Sequence, residues 1–248
     1  MDQNGVKQYF ERYGMRIEVK RETSICNPRL SDSYIYYLVE GIASLTSLTM
    51  DGEEKDFIYF PHDHLLGFAP ALMRHYRKIR GEEHTLSGDD CLQEKIPFGI
   101  DTKTDCVFYR LDERTFEILL EEDSRFLSYI MEAVTCNYVT LVRKFHDTQE
   151  ECASKRLYKW FLAFSSREGQ YRAVPHGFTY AEIAKYLGMH PVTVSKLSSA
   201  LKKAGIIKKR KRPHPHHRRG PLKSSYITVI IQREGTYEIL HRFKSCKL

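Results

Sequence analysis

The N-terminal part of the chain consists of short apolar runs that are separated by turn residues. Residues 34–39 (YIYYLV) form a strongly β-prone run, and residues 42–50, 56–60 and 106–111 have similar compositions. Between two of these runs, Asp51-Gly52 is a dipeptide that favours a tight hairpin turn. Many short strands between turns predict an antiparallel sandwich or barrel.

The apolar spacing changes in the middle of the chain. Residues 73–100 are polar and predict irregular loops and edge strands, but from Asp112 onward apolar residues recur every three or four positions. A long helix is predicted over residues 124–150, with an apolar stripe that is interrupted by Asn137 and contains Phe126, Ile130, Val134, Leu141 and Phe145. Such a stripe needs a partner surface. It predicts a seam between two copies of the chain, with packing against the chain's own β domain as the alternative.

Residues 179–201 have the spacing of a helix-turn-helix. Thr179 and Glu182 form a capping box at the start of the first helix, and Gly188 supplies the positive φ of a tight turn. Pro191 fits the first position of the second helix, because its missing N–H has no intrahelical partner there. The predicted inner faces contain Ile183, Ala184 and Leu187, followed by Val194, Leu197 and Leu201. We therefore predict that this segment binds double-stranded DNA.

Burial of one face of the second helix determines which of its residues point outward. This outward face contains His190, Val192, Thr193, Ser195, Lys196 and Ser199, several of them short enough for the helix to enter a major groove. We expect Lys196 to donate to guanine or phosphate, and Val192 to contact a thymine methyl group. Thr179 completes the predicted DNA-contacting set of this helix pair.

A basic loop follows the two helices. Between Lys208 and Ser225 the chain has eight Lys or Arg residues and no Asp or Glu. A short β-prone run precedes the loop and another, residues 226–231, follows it, so the segment predicts the wing of a winged helix-turn-helix. We expect Lys208, Lys209 and Arg210 to contact phosphates and to make DNA binding depend steeply on salt.

The charge of the chain is unevenly distributed. Residues 150–248 contain 21 Lys or Arg and 6 Asp or Glu, whereas residues 1–149 contain 18 and 26. A basic C-terminal part is typical of a protein that binds a polyanion. The six cysteines include no Cys-x-x-Cys pair, so neither a metal site nor an iron–sulfur cofactor is expected. Because no apolar stretch is long enough to span a membrane and no secretory signal pattern is present, we predict a cytoplasmic protein.

The order of these elements resembles the CRP/FNR family of bacterial transcription regulators. The resemblance is carried by residues 36–49 and 65–67, and most specifically by residues 183–196; the run 190–196 (HPVTVSK) is closest to the CprK-like branch, and the β domain is similar to PrfA-like regulators. It implies an α+β fold. Its parts would be an N-terminal double-stranded β-roll of the cyclic-nucleotide-binding or cupin-like kind (1–122), a long dimerisation helix (123–150) and a C-terminal winged helix-turn-helix domain (151–248).

The resemblance also implies partners. It implies a homodimer that reads a palindromic DNA site and works with RNA polymerase. Lys196 occupies the position where relatives carry a base-reading arginine, and lysine lacks the bidentate fork of arginine. We therefore expect thymine methyl groups and DNA shape to matter more than a strictly read guanine.

The implied effector is a further expectation, because the residues depart from the cyclic-AMP pattern. Phe68 follows Gly67 where a cyclic-AMP binder has an acidic residue, and no Arg-x-Ala phosphate cradle is evident. We therefore predict an unidentified small effector other than cyclic AMP, in a pocket lined by Gly67, Phe68, Arg80, Asn137 and Tyr138. Asn137 is alternatively a buried amide that sets the register of the helix seam.

Two alternatives stay open at this level. His62-Asp63-His64 supports a cupin-like metal-dependent enzyme with a basic tail, but Asp56, Phe68 and Ala69 stand where the cupin pattern has glycine and glutamate. The other alternative is a regulator that binds DNA without an effector because its β-roll has lost its ligand. The prediction is that the protein is not an enzyme.

Overall fold

The computed structural model describes residues 3–26, 34–48, 54–81, 98–168, 171–174, 178–209 and 229–231. The chain divides into two units, residues 1–141 and residues 142–248, and each is described by itself. The predicted three-part division at residues 122 and 150 stays a prediction. Within the described residues, no helix is both long and apolar enough to cross a membrane.

Two antiparallel sheets and their flanking helices form the first unit. Its elements in chain order are α1 (Gln3–Tyr13), β1 (Met15–Val19), β2 (Ser24–Cys26), β3 (Tyr34–Glu40), β4 (Ala43–Leu48), β5 (Glu54–Phe60), β6 (His64–Leu66), α2 (Phe68–Arg80), β7 (Phe98–Thr102), β8 (Cys106–Asp112), α3 (Glu113–Glu122) and the start of α4 (Ser124–Glu150). The sheets have the strand orders β1-β8-β3-β6 and β2-β7-β4-β5. This arrangement confirms the predicted β-roll, and α4 confirms the predicted long helix.

The core of the first unit lies on both faces of β3. Ile35 and Tyr37 point into a cluster with residues of the helices, including Phe116. Tyr36 and Leu38 point the other way, into a cluster built from strands of both sheets. Because successive side chains of a strand point to opposite faces, a strand that is covered on both sides needs an unbroken apolar run. This explains the sequence YIYYLV.

Two helices of the first unit, α1 and α2, were not expected from the pattern. The prediction of loops and edge strands over residues 73–100 is wrong for residues 73–80, which continue α2, while residues 82–97 lie outside the described part of the chain. Helix α2 buries Ala71 and His75 on its inner face. On its outer face, Arg74 donates two hydrogen bonds to the Glu113 carboxylate, at 2.6 and 2.8 Å.

In the described part of the second unit, three helices after α4 combine with a small sheet. Its elements after the end of α4 are α5 (Ala153–Ala163), β9 (Ser166–Glu168), β10 (Tyr171–Ala173), α6 (Tyr180–Leu187), α7 (Pro191–Lys203), β11 (Ile207–Lys209) and β12 (Val229–Ile231). The sheet has the order β11-β12-β10-β9. Its core contains the aromatic rings of α5, because Trp160 packs edge-on against Phe161 and Phe178, with ring centroids 5.7 and 5.0 Å apart.

Candidate nucleic-acid interface

The first helix of the motif, α6, begins with the predicted capping box. The Thr179 hydroxyl accepts from the backbone N–H of Glu182 at 3.2 Å, and the Glu182 carboxylate accepts from the backbone N–H of Thr179 at 2.6 Å. The helix ends at Gly188, which has a φ of 61°. A residue with a Cβ would be strained in this left-handed conformation, so the glycine allows the sharp turn into α7.

Thr179 has a role in α6 that differs from its predicted DNA contact. Besides accepting at the helix start, its hydroxyl donates to Glu182 Oε2 at 2.8 Å. The hydroxyl therefore both donates and accepts a hydrogen bond within the chain, which stabilises the first turn of α6. The DNA contact of Thr179 stays a prediction.

The second helix, α7, is anchored by a buried inner face. Val194, Leu197 and Leu201 are buried as predicted, and Ser198, which was not predicted to be, is buried with them. Pro191 occupies the first turn, and His190 precedes it as the N-cap. The His190 Nδ1 atom accepts from the backbone N–H of Val192 at 3.3 Å, so the ring is held at the start of the helix.

The outer face of α7 carries the predicted reading residues. Lys196 is exposed, and Val192 exposes 52% of its surface. Thr193 and Ser195 are half-buried at the edges of this face. A helix face that is made mostly of short side chains and carries one lysine has the shape and charge to lie in a major groove.

Residues of α4 and α5 support the first helix of the motif, α6, and sequence reasoning missed them. Arg156 donates from Nη1 to the carbonyl oxygen of Leu187 at 3.0 Å, at the C-terminus of α6, where a cation is favourable. The Lys144 ammonium lies 3.9 Å from the centroid of the Tyr186 ring. No local pattern could reveal these contacts, because each partner lies more than thirty positions away along the chain.

The wing sheet is present on either side of the basic loop. Lys208 pairs with Ile230 in the antiparallel β11–β12 ladder, and its side chain is exposed. Lys209 lies on the same strand. Arg210 and the rest of the basic loop, residues 210–228, lie outside the described part of the chain.

The long helix α4 places the predicted seam residues in two different environments. Phe126 and Ile130 are fully buried in the core of the first unit, and Val134 packs against that core. Leu141 and Phe145 are exposed, as is Tyr138. Phe126 and Ile130 therefore have no surface for a second chain, and their assignment to the seam is corrected.

The predicted effector-pocket residues also differ in burial. Phe68 is buried in the core of the first unit, and its assignment to a ligand pocket stays a prediction. Gly67, with a φ of 76°, forms the N-cap of α2, and Arg80 is exposed at the end of that helix. Asn137 is half-buried and Tyr138 is exposed on α4.

The histidines considered for a cupin-like enzyme make local contacts. His62 Nδ1 lies 2.8 Å from an Asp63 carboxylate oxygen, and His64 Nδ1 lies 3.0 Å from the His62 carbonyl oxygen. Across the described ranges, no three His, Cys, Asp or Glu residues are grouped so that they could hold a metal ion.

Comparisons with known proteins agree with this geometry. Residues 155–215 match the Crp-like helix-turn-helix domain. The chain is similar to the structure of a cysteine-to-serine variant of CprK complexed with OCPA, at 16% identity and a TM-score of 0.56, over 96% of this chain and 93% of that chain. It is also similar to FixK2 from Bradyrhizobium japonicum, at 13% identity and a TM-score of 0.64, over 92% and 96%.

A third similar structure is a putative transcriptional regulator of the crp/fnr family from Eubacterium rectale, at 15% identity and a TM-score of 0.61, over 96% and 94% of the two chains. No curated protein sequence matches the chain. The chain therefore contains a Crp-like helix-turn-helix domain, and its fold is similar to the folds of these regulators.

Proposed function

We propose that the protein is a homodimer that reads a two-fold symmetric DNA site and is gated by a small molecule other than cyclic AMP. The proposal that the protein reads DNA rests on the exposed face of α7, where Val192 and Lys196 lie opposite the buried face of the helix. A helix held in this way can enter one major groove, and a dimer can present two such helices to successive grooves. We expect it to act in the cytoplasm, with RNA polymerase as a partner.

The DNA-reading face is tested with fragments selected from genomic DNA by the full-length protein. Lys196→Ala is expected to reduce discrimination between selected and scrambled fragments by about 1–3 kcal/mol, because it removes one base contact per half-site. Ser199→Ala is the matched control, since Ser199 is exposed on the same helix and its hydroxyl donates to the Ser195 carbonyl oxygen at 2.9 Å. If both variants discriminate as well as the parent protein, α7 is not the reading helix.

The wing residue Lys208 is expected to act on affinity and not on sequence choice. Lys208→Gln should weaken binding to all fragments and lower the slope of log K against log salt by about 0.9 for each phosphate that the side chain no longer neutralises. Lys55→Gln, which changes an exposed lysine of β5, is the control. Equal salt slopes for these two variants would contradict a phosphate contact at Lys208.

The homodimer is supported by an apolar stripe on α4, of which Val134 is half-buried and the other members are exposed in the single chain. Met131, Val134, Tyr138, Leu141 and Phe145 alternate at spacings of three and four, which is the spacing of a two-helix coiled coil. Tyr138 and Phe145 expose 66% and 69% of their surfaces in the single chain. This stripe includes Tyr138 instead of Asn137, so it differs from the predicted seam.

The stripe is tested by the oligomeric state. Phe145→Asp is expected to weaken dimerisation about 100-fold or more, because two large apolar side chains lose their burial and two charges enter the seam. Ile118→Asp, which changes an exposed apolar residue of α3, is the control. Sedimentation velocity over a dilution series measures both variants. A monomeric parent protein, or equal dissociation of the two variants, would overturn the proposed interface.

Gating by an effector is supported by the fold and by the departure from the cyclic-AMP pattern. One similar structure is described as CprK in complex with OCPA, and another as the c-di-GMP responsive regulator CLP, so the fold serves different ligands. In this chain Phe68 begins α2 directly after Gly67 and is buried in the core. The proposal is tested by comparing the melting temperature of the protein alone with its melting temperature in the presence of each candidate small molecule. A bound effector raises that temperature. Stabilisation by cyclic AMP would contradict it.

One observation favours the effector-independent alternative. The space between the two sheets of the β-roll is filled by the chain's own residues, among them Tyr36, Phe60 and Phe108. A regulator whose β-roll has no room for a ligand would select the same DNA fragments whether or not metabolites from a cell extract are present. Identical DNA affinity before and after removal of small molecules would support this alternative.

A further inference from the structure

A groove in the first unit lies between α1 and the start of α4, outside every site discussed above. It encloses about 270 Å³. Gly5, Tyr9 and Arg12 line it from α1, and Asp123, Arg125 and Tyr129 line it from the other side. Its volume is slightly below the ~300 Å³ of the smallest ligand pockets, so it suits a molecule with a single ring.

The floor of this groove is held by direct contacts. The Tyr9 hydroxyl donates to Asp123 Oδ2 at 2.6 Å, and Asp123 Oδ1 accepts from the backbone N–H groups of Arg125 and Phe126 at 2.9 and 3.2 Å. The Tyr9 ring packs on Phe126, with centroids 5.1 Å apart. Both carboxylate oxygens of Asp123 therefore accept hydrogen bonds within the first unit.

Two aromatic rings form a wall of the groove. The Tyr9 and Tyr129 rings meet edge to face, with centroids 6.2 Å apart. Gly5 lets α1 approach this wall, because a Cβ at residue 5 would lie 1.9 Å from the Tyr129 hydroxyl oxygen. Both tyrosines line the groove, and aromatic rings favour contact with a flat, unsaturated partner.

The charge of the groove comes from two arginines at its rim. Arg12 and Arg125 are exposed, and among the described residues neither lies within 4.0 Å of a carboxylate oxygen as an ion pair. The Arg12 guanidinium lies 5.1 Å from the centroid of the Tyr13 ring, which holds it beside the groove. A guanidinium binds a carboxylate through two parallel hydrogen bonds, so the rim favours a planar anion.

We propose that this groove binds a small aromatic carboxylate, with the ring against Tyr9 and Tyr129 and the carboxylate between Arg12 and Arg125. The aromatic wall favours a ring-bearing acid over inorganic phosphate, and the two arginines favour an acid over a neutral ring. The site belongs to the first unit alone. Its occupancy can therefore be measured without DNA and does not depend on the proposed DNA site or dimer.

The experiment is isothermal titration of the full-length protein with benzoate, benzyl alcohol and inorganic phosphate. We expect benzoate to bind at least tenfold more tightly than either other probe. Arg12→Gln and Arg125→Gln should each weaken benzoate binding at least tenfold, since each removes one guanidinium group that would bind the carboxylate. Arg114→Gln, which changes an exposed arginine of α3 outside the groove, should leave binding unchanged.

Three outcomes overturn the proposal. Benzoate binding no tighter than benzyl alcohol would show that the arginines do not hold the acid, and phosphate binding as tight as benzoate would show a simple anion site. Unchanged benzoate affinity in both arginine variants would place the molecule elsewhere. Because Arg12 and Arg125 lie on different helices and are both exposed, loss of folding in one variant leaves the other to decide.

Discussion

The two halves of α4 have similar apolar side chains but different surroundings. In the first half, Phe126 and Ile130 are fully buried among residues of the first unit. In the second half, Leu141 and Phe145 expose 42% and 69% of their surfaces. The same helical period therefore produces a core face at one end of the helix and an uncovered face at the other.

The difference comes from what surrounds each half. Phe126 lies between Tyr9 of α1 and Phe116 of α3, with ring centroids 5.1 and 5.7 Å away. An apolar stripe shows that a helix needs a partner, but the partner is supplied by elements that are distant in sequence. A similar contrast holds in the helix-turn-helix, where the Thr179 hydroxyl is bound within the chain and the outer face of α7 is exposed.

The largest expected effect separates the two halves of α4. Phe126→Ala should lower the free energy of unfolding by about 3–5 kcal/mol, because a fully buried ring leaves a cavity. Urea unfolding at several protein concentrations measures this loss, which should not change with concentration. Phe145→Ala is the matched control. Its effect should grow as the protein becomes more concentrated, because Phe145 is proposed to stabilise the dimer. The same concentration dependence for both variants would contradict the proposed difference between the buried and the exposed half of α4.

An intermediate effect separates two threonines of the helix-turn-helix. Thr179→Ala should lower the stability of the second unit by about 1 kcal/mol, because it removes the N-cap acceptor of α6. Thr193→Ala should leave the urea midpoint nearly unchanged and weaken DNA binding, since Thr193 lies at the edge of the outer face of α7. Unfolding curves and fluorescence anisotropy measure the two effects. A reversed pattern would show that Thr179 reads DNA.

The smallest effect concerns the residue that precedes α4. The Tyr9 hydroxyl and the backbone N–H groups of α4 hold the pKa of Asp123 below its ordinary value. A carboxylate with a lowered folded pKa contributes stability above the unfolded pKa of about 4 and loses it as pH falls through the folded pKa. Urea midpoints between about pH 6 and about pH 2 should therefore fall less steeply for Asp123→Asn than for the parent protein.

Tyr9→Phe sharpens this test. It removes the donor that lowers the pKa of Asp123 most, so the pH-dependent loss of stability should be smaller than in the parent protein and complete at a higher pH. If the Asn and Phe variants both keep the parent profile, the contact between α1 and Asp123 does not contribute to acid stability.

Local signals explain why the helix-turn-helix was predictable. The capping box joins residues three positions apart, Gly188 acts through its own φ, and Pro191 through its own missing N–H. None of these signals depends on the rest of the fold. The inner face of α7 was also predictable, because a helix with polar residues on one side buries the other.

The missed elements depend on distant partners. Helix α2 contains Pro70 and a run of basic residues, and its Arg74 is held by Glu113, thirty-nine positions away. Helix α1 has apolar residues at Val6 and Phe10, but its packing also depends on the hydrogen bond from Tyr9 to the distant residue Asp123. For the same reason the groove between α1 and α4 could not be predicted from the sequence.

The sequence by itself determined the strand-rich N-terminal part, the long helix, the two helices of the DNA-binding motif and the basic charge of the C-terminal part. Each of these follows from interactions within a few residues or from composition. Only the tertiary structure decided that Phe126 belongs to the core and Phe145 to an exposed face, and that Tyr138 continues the stripe on α4. Burial is decided by all the elements packed around a side chain, so the spacing along one helix cannot specify it.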